Sequence, residues 1–193
     1  MNSIIRLRKF LLVSMILVLA ASTSCSLMTA SYKSEELDPL TAAPAIHLTN
    51  HNGDPFELSA FQGKVVMIYF GFTNCVDECP ITLAQMKIAL GLLGDAAQNV
   101  QVVLVSTDPI RDTPMALQDF LGKFDPSYAG ATGSLEDVSR VWDEYGVVVL
   151  DGGETHSNVI YVVDPQGRLR LRMDAEMTPD DMASDIKAVL ASE

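Results

Sequence analysis

The sequence predicts an α/β fold in which a mixed central β-sheet is flanked by helices. Two observations support this prediction. The runs "KVVMIYF", "VQVVLVST" and "VIYVVD" are continuously apolar and rich in β-branched residues, which is typical of strands covered on both faces. The segments between them repeat apolar residues every three or four positions, which indicates helices. Because 193 residues suffice for one hydrophobic core, we expect a single domain.

The first half of the fold begins with a predicted hairpin. The stretch "AIHLTNHNGDPFEL" alternates apolar and polar residues on either side of Asn52 and Gly53, which form a strong turn signal. The buried strand "KVVMIYF" then leads into a loop with two cysteines. A helix is predicted from about Pro80 to Leu93, ending at Gly94. A second buried strand follows over residues 100–107.

The second half adds three helices and a strand hairpin. Thr113 and Ser134 are predicted to cap two of the helices, and the second of these runs to Tyr145 and ends at Gly146. The later elements are the strand "VIYVVD", the half-exposed strand "RLRLRM" and the helix "PDDMASDIKAVLAS". This order best fits a thioredoxin-like fold, whose functional residues lie in two loops at one sheet edge. Here those loops are "TNCVDEC" and "GGETHSN".

The N-terminal 24 residues have the pattern of an export signal. Arg6, Arg8 and Lys9 precede the uncharged apolar run "FLLVSMILVLAA", and small polar residues follow it. Residues 25–44 show no sustained periodicity and are predicted to be a linker, so the thioredoxin-like domain spans residues 45–193. We therefore expect the folded domain to be exported, to the bacterial periplasm or another extracytoplasmic face.

Three interpretations compete for the end of this leader. Cleavage by a lipoprotein signal peptidase after "AASTS" would make Cys25 an acylated N-terminus, which its position just after the apolar run favours, although Ser22 stands where Leu is usual. The uncharged stretch from Phe10 to Ser31 could instead span a bilayer uncleaved. Cleavage near Ala21 would give plain secretion. The first two interpretations tether the domain to a membrane.

The chain is acidic, with a formal net charge of -12. Loss of residues 1–24 removes three positive charges and no negative one, so the remaining chain carries -15. Such a domain should repel nucleic acid, and it would suit a basic patch on a protein partner.

The cysteine pair is the strongest chemical signal. Cys75 and Cys79 lie four positions apart at a predicted helix start, where one turn brings both sulfurs to the same side. Free amides and the helix dipole there favour thiolates. Two converging thiolates could form a disulfide or bind a soft metal. A purely stapling disulfide is disfavoured, because so small a loop closes little chain entropy.

His156, immediately before a buried strand, is the third candidate ligand. In this fold its loop faces the cysteine loop, whereas His47 and His51 lie on the N-terminal hairpin and are expected to be structural. Two thiolates and one imidazole suit Cu(I), and the imidazole also allows Cu(II); zinc would normally require a fourth ligand. Asp77 and Glu78 could supply an oxygen, but we expect them to stay solvated at the helix start.

Four segments occur in order between residues 45 and 190: "YFGFTNCVDECPITL", "VLVSTDPIRDTP", "TGSLEDVSRVWDEYGV" and "HSNVIYVVDPQGRLRL". Through these segments the chain resembles the Sco/SenC family of thioredoxin-like copper proteins. The resemblance implies that Cys75, Cys79 and His156 bind copper. It also implies a tethered copper chaperone that helps load the CuA centre of cytochrome c oxidase, on the CuA-bearing subunit, or that serves another copper protein.

Two other functions stay open at this point. The main alternative is a thiol-disulfide oxidoreductase in which Cys75 and Cys79 form the catalytic redox pair and reduce partner cysteines. Both functions can operate in one protein, since a thiolate site binds copper only while it is reduced. A thiol peroxidase is a weaker hypothesis, because the sequence has no separate peroxidatic motif.

The sequence departs from the family pattern in both loops. Val76 replaces the proline that usually follows the first cysteine, a change expected to matter little. The segment 147–156 is shorter than in many relatives. Thr155 replaces the aspartate that commonly precedes the histidine, which leaves Glu154 or Asp151 as the carboxylate to orient the imidazole.

The motif "STDPIRDTP" follows the second buried strand at the same edge as the site. Asp108 is a candidate to tune the metal from outside its ligand shell or to dock a partner. Asp112 is expected to be a turn and capping residue.

Overall fold

The computed structural model describes residues 31–192. The strands are β1 Glu35–Ala42, β2 His47–Asn50, β3 Pro55–Glu57, β4 Val65–Gly71, β5 Val100–Ser106, β6 Ala129–Thr132, β7 Val149–Leu150, β8 Thr155–His156, β9 Val159–Val163 and β10 Arg168–Asp174. The helices are α1 Glu78–Leu93, α2 Pro114–Leu121, α3 Leu135–Tyr145 and α4 Pro179–Ala191.

Eight of the strands form one sheet in the order β1-β10-β9-β4-β5-β6-β2-β3. Strand β5 pairs in parallel with β4 and with β6, and the other pairings in this sheet are antiparallel. Strands β7 and β8 form a separate short hairpin. The predicted mixed central sheet flanked by helices is therefore confirmed.

Strand β4 is buried at every residue and divides the core into two layers. Met67 and Tyr69 face α1, α2 and α4, whereas Ile68 and Phe70 face α3. Successive side chains of a strand point to opposite faces, so helices on both sides leave no position for a polar residue exposed to water. This double coverage explains the unbroken apolar run in the sequence.

The predicted helix starts are confirmed at three places. The side chains of Thr113, Ser134 and Thr178 each accept a hydrogen bond from the backbone amide three residues later. Each cap satisfies one amide that the first turn of a helix leaves without a partner. Gly146 ends α3 in the left-handed conformation, with φ of 65°, as its position predicted.

The prediction of a linker over residues 25–44 is wrong for most of the residues in that range that the structure describes. Strand β1 pairs with β10 at the edge of the sheet. Just before it, the amides of Lys33 and Ser34 each donate a 2.8 Å hydrogen bond to the buried carboxylate of Asp185 in α4. Most side chains of β1 are exposed, so the strand lacks the alternation that identifies a half-buried strand in a sequence.

Strand β6 was also not predicted from the sequence. Its residues, "AGAT", are small and include a single β-branched side chain, so they give little strand signal. Gly130 is needed there because a Cβ would lie 2.9 Å from Leu121 Cδ1 and 3.1 Å from Leu117 Cβ. The close approach of α2 to the sheet therefore selects glycine at residue 130 of β6.

Within residues 31–192, no helix is long and apolar enough to cross a membrane. The predicted export signal and Cys25 lie outside the described residues.

Candidate metal centre

The two predicted functional loops meet at one edge of the sheet. Strands β4 and β5 end there, and the β7–β8 hairpin lies opposite them. An open cleft of about 570 Å³ separates the loops, and Cys75, His156, Asn158 and Glu176 are among the residues that line it. Binding sites of α/β sheets are commonly found outside the carboxyl ends of their parallel strands.

The cysteine pair is held by the start of α1. The helix begins at Glu78, two residues before the predicted position, so that Cys79 lies in its first turn. Asp77 occupies the capping position, but its side chain makes no capping bond. Instead, the Cys79 amide donates to Sγ of Cys75 at 3.3 Å. The Cys75 sulfur thereby satisfies one of the free amides of the helix, and both cysteines are free thiols.

His156 lies against the buried cysteine. Its Nε2 is 3.8 Å from Sγ of Cys79, and its Nδ1 is 3.2 Å from the carbonyl oxygen of Ser157. A carbonyl only accepts hydrogen bonds, so this contact requires the proton on Nδ1. In the neutral ring, Nε2 then presents its lone pair toward the sulfur, as a metal ligand must.

The predicted carboxylates do not orient this imidazole. Glu154 bonds to Arg111 at 3.0 Å, and Asp151 accepts a 3.0 Å hydrogen bond from the Thr155 hydroxyl. The Ser157 carbonyl takes their place beside Nδ1. A backbone acceptor leaves no signal in a sequence, since every residue carries one.

Two aromatic rings hold the imidazole from its sides. Tyr69 and Phe72 meet the His156 ring edge-on, with centroids 6.1 and 6.0 Å away. Such T-shaped contacts are favourable and fix ring orientation. The imidazole is therefore positioned before any metal arrives.

Burial, rather than the helix dipole, dominates the chemistry of Cys79. Its side chain is 0% exposed, and desolvation raises the pKa of the thiol to about 12. The prediction that the helix start favours a thiolate is therefore wrong for Cys79 in the metal-free protein. Desolvation penalises the charged form more than the terminal amides stabilise it. Cys75, at the cleft, is only partly buried.

The three predicted ligands are brought together only in part. Cys79 and His156 are in contact, whereas the Cys75 sulfur is occupied by the Cys79 amide. Among the described residues, no group of three or more Cys, His, Asp or Glu side chains is arranged so that it could hold a metal ion. A three-ligand site therefore needs Cys75 to turn toward the other two. The donor set of two sulfurs and an imidazole fits copper.

Asp108 reaches the centre through another residue. Its buried carboxylate forms an ion pair with Arg111. Arg111 also bonds to Glu154 and lies 6.0 Å from the centroid of the Phe72 ring, which in turn packs on His156. Arg111 thus links the end of β5 to the histidine loop, a role the sequence did not suggest.

Asp112 anchors the cysteine loop from inside the core. It is 0% exposed and accepts hydrogen bonds from the amide and hydroxyl of Thr73, at 3.0 and 2.6 Å, and from the Ser106 hydroxyl at 2.6 Å. Burial raises the pKa of this carboxyl. The predicted turn role describes only its backbone, which bonds to Asp108. The side chain instead fixes the loop two residues before Cys75.

Tyr69 and Gly71 are two further residues that the sequence analysis missed. Tyr69 is a polar group in an otherwise apolar strand, and buried hydroxyls usually have partners, so it could have been identified. A Cβ at Gly71 would lie 3.0 Å from Sγ of Cys79. Gly71 therefore lets the buried sulfur lie directly against the end of β4.

The other two histidines have structural roles, as predicted. Nδ1 of His51 accepts a 3.0 Å hydrogen bond from the amide of Gly130. His47 pairs with Glu57 across the N-terminal hairpin.

Comparison with known proteins assigns this chain to a family. The family model described as SCO1/SenC matches residues 35–191. The chain belongs to the SCO1/SenC family.

The solved structures that are similar to this SCO1/SenC chain include the following three. ScoI of Bradyrhizobium japonicum, solved with copper bound, is 31% identical; the match covers 76% of this chain and 98% of that one, with a TM-score of 0.69. The apo Sco1 of Thermus thermophilus is 34% identical; the match covers 83% of this chain and 98% of that one, with a TM-score of 0.73. A SCO1/SenC family lipoprotein of Bacillus anthracis is 27% identical; the match covers 83% of this chain and 99% of that one, with a TM-score of 0.71. These similarities confirm the predicted thioredoxin-like fold.

Proposed function

We propose that this chain is a copper-binding metallochaperone that delivers copper to the CuA centre of cytochrome c oxidase during its assembly. The observation that carries the proposal is the 3.8 Å contact between Sγ of Cys79 and Nε2 of His156, beside an open cleft and with Cys75 four residues before Cys79. A similar family member has been solved with copper bound and another without it.

The burial of the three ligands suggests how copper would leave. Copper, as Cu(I) or Cu(II), is the cargo, held by Cys75, Cys79 and His156. Cys75 borders the cleft, whereas Cys79 is fully buried. A partner's ligand therefore meets the Cys75 end of the site first, and stepwise exchange of thiolates proceeds from there.

The partner would be the CuA-bearing subunit or another copper protein, on the extracytoplasmic face of a membrane. Asp77, Glu78 and Glu176 line the cleft and would complement a basic surface around the recipient's site. Acylation of Cys25, or an uncleaved N-terminal span, would hold the domain at that membrane. The lipoprotein from Bacillus anthracis supports the first of these arrangements.

A second candidate function is thiol-disulfide exchange with partner cysteines. The observation that favours it is that both thiols are free, with the Cys75 sulfur 3.3 Å from the Cys79 amide. Reduction of a partner's cysteines before copper arrives would use this pair without His156. If the chain does not reduce an oxidised CuA domain, that result would count against this function.

Substitution of the histidine distinguishes the two functions. His156→Ala is expected to weaken copper binding strongly while the Cys75–Cys79 disulfide still forms almost as readily. His51→Ala is the matched control, because that imidazole lies on the hairpin, and it should leave copper affinity unchanged. Titration with copper against a competing chelator, together with quantitation of thiols, provides both readouts. Full copper affinity in His156→Ala would refute the three-ligand site.

A further inference from the structure

One hydroxyl in the candidate metal centre has more possible partners than it can serve at once. Tyr69 is 0% exposed, on the face of β4 that packs against α1. Its hydroxyl lies 3.2 Å from Oδ1 of Asn158 and 3.7 Å from Sγ of Cys79.

The phenol has a single proton for these contacts. That proton can point either to Oδ1 of Asn158 or to Sγ of Cys79. The amide oxygen of Asn158 is the nearer of the two acceptors. A thiolate accepts a stronger hydrogen bond than a neutral thiol does. The favoured partner of the proton therefore depends on the state of the Cys79 sulfur.

We propose that Tyr69 is a positioning residue for Cys79, whose O–H serves Asn158 while Cys79 is a thiol and turns to the sulfur when that sulfur is a copper-bound thiolate. The metal-bound half of this inference rests on the proposed copper function. A hydrogen bond to a ligand sulfur withdraws electron density from it and fixes its position, which are two of the means by which surrounding residues tune a metal. Here it also holds the sulfur beside Nε2 of His156.

The test compares two buried tyrosines in the full chain. Tyr69→Phe removes only the hydroxyl. Tyr128→Phe is the matched control, because Tyr128 is 2% exposed and its hydroxyl bonds to the carbonyl of Leu83, 3.4 Å away, instead of to a ligand. We expect Tyr69→Phe to lower copper affinity about tenfold. The thiolate-to-Cu(II) charge-transfer band should move to longer wavelength. Tyr128→Phe should change neither property.

A metal-free measurement tests the same hydroxyl independently. The thiol-disulfide equilibrium of Cys75 and Cys79, measured against a glutathione buffer, should be almost unchanged in Tyr69→Phe, because the hydroxyl serves Asn158 in the dithiol as well as in the disulfide. Asn158→Leu removes that acceptor and leaves the proton of Tyr69 to the Cys79 thiol, which accepts a hydrogen bond better than a disulfide sulfur does. The equilibrium should therefore shift toward the dithiol by about threefold to tenfold, and tenfold corresponds to about 30 mV.

Several results would overturn the inference. They are unchanged copper affinity in Tyr69→Phe, an equal loss of affinity in Tyr128→Phe, a shift of the thiol-disulfide equilibrium toward the disulfide in Tyr69→Phe, or no shift toward the dithiol in Asn158→Leu. A wild-type chain that binds no copper would refute the proposed function and the metal-bound half of this inference. The thiol-disulfide equilibrium would still decide whether Tyr69 acts on Cys79.

Discussion

Nε2 of His156 lies 3.8 Å from Sγ of Cys79, although 77 residues separate them in sequence. The contact exists because β4 and β9 pair side by side, so the loop after one strand and the loop before the other share an edge. Each ligand is then held by its own support: the histidine by the Ser157 carbonyl, and the cysteine by the first turn of α1.

Gly71→Ala should damage the site by displacing the Cys79 sulfur. The added methyl would lie 3.0 Å from that sulfur and 3.3 Å from Cδ1 of Leu104, so the core must shift. We expect a loss of about 1 to 3 kcal/mol in the free energy of unfolding, with weaker copper binding. Urea unfolding and copper titration measure the two effects.

The control for this substitution is Gly91→Ala in α1, where an added methyl meets nothing within 4 Å. It should stabilise the protein by about 1 kcal/mol, because alanine is the better helix former. If the Gly71→Ala variant is as stable as the wild type, that result would contradict the close packing at Cys79.

Asp112→Ala should destabilise the protein by about 2 to 3 kcal/mol at pH 4, because three donors lose their acceptor. The loss should shrink as pH rises. Burial raises the pKa of Asp112 above 3.8, so the folded state binds more protons than the unfolded state, and the contribution of this group declines from pH 3.8 up to its raised pKa. Urea unfolding across this pH range checks the sign.

Asp119→Ala, at an exposed position on α2, is the control for Asp112 and should have little effect at any pH. A destabilisation by Asp112→Ala that grows with pH would show that ionisation of this carboxyl strengthens the anchor.

Arg111→Gln should loosen the histidine loop. It removes the bonds to Asp108 and Glu154 and the contact with the Phe72 ring. We expect faster amide hydrogen exchange in residues 151–156 and about tenfold lower copper affinity. Arg140→Gln, which breaks an exposed pair with Asp137 on α3, should change neither property. Equal exchange rates in the two variants would exclude a linking role for Arg111.

A chain that begins at residue 45 should be less stable than one that begins at residue 31. The shorter chain lacks β1 and leaves the fully buried carboxylate of Asp185 without the amides of Lys33 and Ser34 and the Ser34 hydroxyl. We expect a loss of about 3 kcal/mol or more. Thermal unfolding compares the two chains, and equal stability would restore the linker interpretation of residues 35–42.

The Ser34→Ala variant of the longer chain isolates the hydroxyl from the rest of this anchor. It keeps both backbone amides on Asp185 and should cost about 1 kcal/mol.

Most elements could be predicted because their signals are local. The buried strands are visible as apolar runs. Thr113 and Ser134 cap helices by accepting hydrogen bonds from backbone amides only three residues later. The exceptions have equally clear causes. Strand β1 exposes most of its side chains, and β6 is made of small residues, of which Gly130 is selected by the approach of α2.

The sequence by itself determined the order of most elements, the loops that carry Cys75, Cys79 and His156, and the thioredoxin-like fold. These depend on periodicity, capping and motif spacing, which are properties of neighbouring residues. Only the tertiary structure decided that burial raises the pKa of Cys79, that Asp112 anchors the cysteine loop, and that Tyr69 lies between Cys79 and Asn158. Desolvation and buried hydrogen bonds depend on contacts between residues far apart in the chain, which a local pattern does not record.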